Sequence, residues 1–504
     1  MGMLEAISAG FMNYFTPSVF LFSLLGVVIG LIFGILPGIS SLTAMAIILP
    51  LTYGANPLFA IVMLTAIRAV SATGGAITSI LINIPGEASS AALCLDGSPM
   101  TKKGQGGRAV GAALCASGLG GILGGFVLAL LIPVAYPLVL LFGSGETALI
   151  GLLGLTFIAV LSQGSVIKGF IAGLLGIILS FIGVHGVTSA IRFTYGNLYL
   201  YDGIPLVPLV LGLFAFPEIF DLILKKGGTI ADVDRSVIKQ TGWPQVYEGM
   251  KDVLRHWSLL IRSTVVGIIV GIIPGIGGAV AQFVAYGHAK QTSKHPELFG
   301  KGNIEGVIAP GSAVNAEEGG AFVPTLAFGI PGSLAMTLML AAFLIHGIQP
   351  GPAMLTQHLD LTWTIVVALI ITNIMGVGLM LPFVSTFARI AFVRSRLVVP
   401  VFLVVAAFGA YGSNLEFWDI VTSFAFGILG YTMIKSGYDR VAIVLGFILG
   451  QMVERYFGII IAAMGAEFLL RPTSMILVIM IVLLLVYKPI NNLIRKGRRR
   501  RETP

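Results

Sequence analysis

Charge is the scarcest property of this chain. Asp, Glu, Lys and Arg together make up 10% of its 504 residues, against about 25% in an ordinary soluble domain. That is too little to cover two or three water-exposed domains. Cysteine is almost missing as well. Cys94 and Cys115 lie in apolar stretches, lack metal-ligand spacing, leave no disulfide framework and read as small buried hydrophobes. The histidines, His185, His256, His288, His295, His346 and His358, show no HExxH or paired spacing. There is no GxxxxGK[ST], so the chain is not expected to be an ATPase. FGSGET lacks the spacing of a nucleophile elbow, and no enzyme is expected.

What the chain has instead is apolar sequence: 56% hydrophobic residues and a mean hydropathy of +0.98. VFLFSLLGVVIGLIFGIL (19–36), ALIGLLGLTFIAVL (148–161), STVVGIIVGII (263–273) and TSMILVIMIVLLLV (473–486) typify the runs. A helix needs about 20 mostly apolar residues to cross a bilayer, and shorter stretches read as partial or re-entrant spans. The expectation is an all-α polytopic membrane protein with about 10–12 spans. MGMLEAISAGFMNYFTPSVF at the start carries no Lys or Arg and reads as an interfacial helix rather than a cleaved signal. Much of the net charge of +8 sits in IRKGRRRRETP after the last run. The positive-inside rule places that tail in the cytoplasm, with the N-terminus periplasmic, and the tail can also touch anionic lipid.

The sequence repeats itself. GVVIGLIFGILPGISS (26–41) aligns with VVGIIVGIIPGIGG (265–278), pairing Gly30, Gly34, Pro37 and Gly38 with Gly267, Gly271, Pro274 and Gly275. GGAITSILINIPGEASS (74–90) aligns with GGAFVPTLAFGIPGSLA (319–335), pairing Gly74, Gly75, Pro85 and Gly86 with Gly319, Gly320, Pro331 and Gly332. Two shared motifs in the same order mark two halves. Charge tests their orientation. SPMTKKGQGGRA after the first IPG carries Lys102, Lys103 and Arg108, while its counterpart QPGPAMLTQHLD has no Lys or Arg. HAKQTSKHPELFGKG after the second PG carries Lys290, Lys294 and Lys301, while its counterpart LTYGANP has none. Equivalent loops of opposite charge character belong on opposite faces, which makes the repeats inverted. The expected organisation is a first membrane repeat (1–224), a cytoplasmic amphipathic linker (225–258), a second membrane repeat (259–490) and a basic cytoplasmic tail (491–504).

Each Pro-Gly pair interrupts an apolar run, and irregular backbone at membrane depth survives only inside protein or beside a water-filled cavity. Paired Gly/Pro-broken segments in two halves point to a transporter binding site. Free N–H groups at each new helix start favour an anion. The candidate substrate contacts are therefore Ser40, Ser41, Asn83, Pro85, Gly86, Gly277, Gly278, Asn315, Pro331 and Gly332, the glycines acting through backbone N–H. Carbonyl ends and hydroxyls at Gly38, Thr43, Thr78, Gly275 and Ser312 are candidates for a coupling ion, Na⁺ or H⁺; no other cofactor and no metal are expected. A single Pro-Gly is as well explained by a kink, and Asn83 by an interhelical hydrogen bond. Arg68, an intramembrane charge, meets either a substrate carboxylate or a buried acid such as Glu317 or Glu318. Glu87 is expected at a wet helix terminus, Asp96 as the cap of a DGSP turn, and His346 as a helix-end hydrogen bonder. Glu146, Arg192 and Glu454 are expected to snorkel.

At these motifs the chain resembles the large membrane subunit of the tripartite tricarboxylate transporters, the TctA family. The resemblance is carried by GILPGISSLTAMAIILPLTYG, GGAITSILINIPGEASSAALCLDGSPMTKKGQGGRA, PGIGGAVAQFVAYGHAKQTSK, IEGVIAP and GGAFVPTLAFGIPGSLAMTLMLAAFLIHGIQPGP, over nearly the whole chain. It implies an ion-gradient-driven importer of carboxylates in the bacterial inner membrane. It also implies a small membrane subunit and a periplasmic solute-binding protein as partners, and an elevator-like movement of the broken helices. The pattern departs at IRAVSAT (67–73), where the family has a tyrosine- and glycine-rich stretch. It departs again at GSAVNAEE (311–318), where the family has an acidic residue and two asparagines, so that Gly311 and Val314 are missing donors or acceptors and carboxylates are implied as a class rather than citrate. The alternatives are a stand-alone carboxylate uniporter or exporter, and a membrane scaffold without its own site.

Overall fold

A computed structural model describes residues 2–36, 40–161, 166–185, 190–224, 241–275, 277–390 and 395–484. The tail expected at 491–504, and 225–240 of the linker, lie outside them. Helices dominate. In chain order they begin with α1 (Met3–Tyr14), α2 (Pro17–Ile35), α3 (Ser41–Leu51), α4 (Pro57–Ile82), α5 (Leu93–Lys102), α6 (Gly106–Val139), α7 (Ser144–Leu161), α8 (Val166–Ser180) and α9 (Leu206–Leu224). Then follow α10 (Trp243–Arg255), α11 (Trp257–Ile272), α12 (Gly277–Thr292), α13 (Glu305–Phe328), α14 (Leu334–Ile345), α15 (Pro352–Thr356) and α16 (Leu359–Met380). The last are α17 (Val384–Ile390), α18 (Ser395–Asn414), α19 (Phe417–Ser436), α20 (Arg440–Met464) and α21 (Pro472–Leu484). The strands among the described residues are a two-residue antiparallel pair, Gly183–Val184 with Ile191–Arg192.

Seven of the described helices are long and apolar enough to cross a membrane, or eight if α10 and α11, bent by 79°, count as one span. The chain is a multi-pass membrane protein. That number is below the about 10–12 spans read from the sequence, because runs beside the breaks fold as short helices. α3 and α14 have 11 and 12 residues, about 17–18 Å of rise.

The helices sort into two compact units. The first draws on Met1–Tyr136, Leu206–Ala327 and Pro331–Tyr431, and the described glycines that the two repeats pair with each other lie within it. Its glycines explain the repeat. On α2, Gly26, Gly30 and Gly34 stand so close to the α4 carbonyls of Met63, Ile67 and Ser71 that any side chain would strike them. On α11, Gly267 and Gly271 stand the same way against Ala313 and Glu317 of α13. Gly74 and Gly320 return the contact, to Leu31 and Ile268. Small residues are what let membrane helices approach this closely. α4 begins on an Asn56 cap whose side chain accepts from Leu58 N at 2.9 Å and ends at Asn83 in the left-handed conformation, φ 57°, which asparagine tolerates better than most residues. α10 falls in the later part of the segment 225–258; Arg108 at the start of α6 holds its buried Asp252 at 2.6 Å.

Asp96 does not cap a turn. DGSP is helical, within α5, and the buried Asp96 carboxylate accepts from Gly300 N, Gly302 N and Asn303 N at 2.8–2.9 Å and from the Tyr286 hydroxyl at 2.9 Å. A carboxylate with this many donors is satisfied without water.

The second unit draws on Pro137–Pro205, Phe328–Ile330 and Thr432–Pro504. Leu149, Leu153, Ile330, Ile460 and Phe468 pack its core. Neither Glu146 nor Arg192 and Glu454 snorkel. Glu146 is buried at the start of α7, accepting from Gly143 N, Thr473 and Ser474 at 2.8–3.0 Å. Arg192 and Glu454 pair with each other at 2.6 Å. Partners within the protein are available, so neither side chain has to reach for the interface.

Candidate functional site

In the first unit the breaks of both halves gather around one guanidinium. Arg68, twelve positions into α4, is 5% exposed. Its Nη1 donates to Glu87 Oε1 at 3.0 Å and to Ser41 Oγ at 3.2 Å. Its Nη2 pairs with Glu318 and lies 3.7 Å from Glu317 Oε2. Of the two sequence readings, the structure shows the buried-acid pairing. Glu87 is not at a wet terminus: it is 7% exposed, takes hydrogen bonds from Ser41 at the start of α3 and from Ser71 at 2.9 Å, and follows directly on Pro85 and Gly86. The break turns the chain back so that this carboxylate faces the helix it has just left.

The second half closes the other side. Gly277, at φ 67°, and Gly278 open α12. A side chain added at Gly278 would meet Glu317, Ser89 and Arg68, and one at Gly277 would meet Ser333 and Glu317. Gln282 on α12 ties this helix to the first half by accepting from Ala92 N at 2.7 Å and donating to Ala88 O at 2.5 Å. Gly275 N donates to Gly332 O at 3.1 Å, and Gly332 N to Thr325 Oγ1 at 3.2 Å, so the two second-half breaks brace each other.

The other sequence-chosen residues distribute as follows. Asn83 and Pro85 are exposed beyond α4, while Gly86, Pro331 and Gly332 are buried. Asn315 donates through Nδ2 to Ala69 O, Thr73 Oγ1 and Asn373 Oδ1 at 2.7–3.0 Å, knotting α13 to α4 and α16. Ser40 precedes α3, with its hydroxyl 3.4 Å from that of Thr43. Thr78 and Ser312 bond to carbonyls of their own helices. Gly38 lies outside the described residues. Sequence reasoning passed over Ser71 and Gln282. The spacing of Ser71, three positions after Arg68 on one helix face, was a usable signal; Gln282 carried none. His346 sits at the end of α14 with Nε2 3.1 Å from Thr52 Oγ1.

Buried charges held at the breaks of a many-span helical protein are an arrangement of membrane transporters. A family profile described as "Tripartite tricarboxylate transporter TctA family" matches residues 20–445. An uncharacterized 52.8 kDa protein of the TAR-I ttuC' 3' region of Agrobacterium vitis is 34% identical over 456 residues, covering 90% of this chain and 89% of that protein. An uncharacterized protein of the TAR-II ttuC' 3' region of the same organism is 36% identical over 190 residues, 38% of this chain and 78% of that protein. No solved structure matches the chain. The chain belongs to the tripartite tricarboxylate transporter TctA family, whose members are membrane components of transporters.

Proposed function

We propose that the chain is the substrate-translocating membrane subunit of a secondary importer of an organic di- or tricarboxylate. It would work in the bacterial inner membrane with a small membrane subunit and a periplasmic solute-binding protein. The observation that carries this reading is the convergence of broken helices from both halves on one buried guanidinium. Helix starts and the guanidinium favour an anion, and the hydroxyls of Ser89 and Ser333, which have no hydrogen-bond partner, add neutral donors. In this reading the two halves are inverted repeats, and the broken helices move as an elevator against the remaining spans, exchanging the site between the faces. The ion gradient, Na⁺ or H⁺, supplies the work.

The experiment is uptake of labelled di- and tricarboxylates into cells expressing the chain, with and without the two partner proteins, in sodium and sodium-free buffer. Uptake that needs both partners and a gradient is the expected result. Equal uptake without partners would make the chain a stand-alone transporter. The scaffold reading has one observation of its own, the interhelical knot at Asn315. Asn83→Ala and Asn315→Ala separate the two: a scaffold loses assembly, whereas a site at Asn83 loses transport with assembly intact.

A further inference from the structure

The charges around Arg68 do not balance. Three carboxylates, Glu87, Glu317 and Glu318, face one guanidinium, and all four groups are buried. Glu87 is well satisfied, with Arg68, Ser41 and Ser71 sharing its two oxygens. Glu317 and Glu318 are not. Both oxygens of Glu317 and Oε2 of Glu318 have no hydrogen-bond partner, and the buried hydroxyls of Ser89 and Ser333 beside Gly278 and Gly277 also have none. Among the described residues, the close approaches that other elements make to this stretch of α13 include glycines: Gly277 and Gly278 of α12, Gly271 of α11 and Gly124 of α6. Two anionic carboxylates on one guanidinium nitrogen, away from water, carry an uncompensated charge that is costly to keep.

We propose that Glu317 and Glu318 hold an exchangeable proton, and that its arrival frees Arg68 from this pair to meet an incoming carboxylate. A proton adds to one oxygen of the pair and neutralises that group; the ion pair to Arg68 weakens, and no covalent bond in the substrate changes. Glu87 keeps its hydroxyl donors throughout, so it anchors the guanidinium while Nη2 turns to the anion. A proton neutralises one carboxylate where it stands and needs no set of oxygen ligands around it. The Arg68 step rests on the carboxylate reading above; the proton itself does not.

Infrared difference spectroscopy of the purified full chain in lipid, between acid and alkaline buffer, tests the proton without any substrate. A neutral-carboxyl band that titrates in the unaltered protein is expected. It should be lost or shifted in Glu317→Gln and in Glu318→Gln but kept in Glu297→Gln, whose side chain is exposed. A band that both buried variants keep, or no band at all, overturns the proposal, as does loss of the band on adding sodium chloride at constant pH. The Arg68 step is read in liposomes holding the complete three-component system, supplied with succinate or citrate and a trapped pH dye. Acidification that accompanies uptake in the unaltered system, and a lowered proton-to-substrate ratio in Glu317→Gln, is expected; uptake of either probe by the unaltered system without acidification overturns the Arg68 step. If the unaltered system takes up neither probe, the carboxylate reading and the Arg68 step both fall, while the infrared band still decides the proton.

Discussion

At the scale of single residues, Arg68 is where the interior is most exposed to damage. Removing it strands three buried carboxylates at once, and breaking a buried pair by deleting one partner costs about 3–5 kcal/mol. Arg68→Ala should therefore abolish or sharply lower the thermal unfolding midpoint of the purified chain. Glu318→Gln should cost far less, since Glu87 and Glu317 remain to hold the guanidinium. Equal losses in the two variants would mean that the surplus of acid is not what the site has to accommodate. Asn315 makes a different case. Its amide joins three helices through three acceptors, and leaving them unpaired costs about 1–3 kcal/mol. A stability loss for Asn315→Ala in unfolding assays, greater than that for the exposed Asn83→Ala, is expected.

At the scale of elements, α2 against α4 and α11 against α13 are the same device used twice. A glycine row on one helix lets the backbone of the other come into contact, and each broken helix is thereby held beside the long helix that carries the buried charges. Gly34→Leu and Gly271→Leu should each push these helices apart. The loss should exceed the about 1–3 kcal/mol of ordinary overpacking, because what a side chain would meet is backbone with no room to yield. Gly378→Leu, at a position with open space around it, is the control, and expression with a monodisperse elution profile is the readout. If Gly34→Leu behaves like the control, the close approach is not essential to the unit.

At the scale of the whole molecule, opposite charge in equivalent loops makes a topological prediction. Single cysteines introduced by Gln105→Cys, beside the lysine-bearing loop, and by Gln357→Cys, in its uncharged counterpart, are both exposed in the folded chain. A membrane-impermeant thiol reagent applied to intact cells should label the second and leave the first unlabelled until the cells are broken. Labelling of both from one side would make the repeats parallel and remove the basis for an inverted exchange of the site. Shared motifs reveal that two halves exist, but their relative direction depends on where charge is retained during insertion, so this prediction belongs to the membrane and not to any single contact.

What the sequence determined by itself is everything that depends on local chemistry. Apolar runs in lipid become helices, the Pro-Gly pairs mark where those helices break, and the GxxxG and GGA motifs identify both the repeat and the family. Only the tertiary structure decided what the buried polar groups do. Glu87 looked like a group at a wet terminus, Asp96 like a turn cap and Asn315 like a ligand contact, yet each finds its partners on another element. Arg68 had two open readings, and its partners on α13 lie far along the chain. A local pattern fixes whether a residue sits in a helix or a break. Which side chain it meets depends on how helix faces come together, and that is set by the close approach the glycines permit, summed over the whole unit.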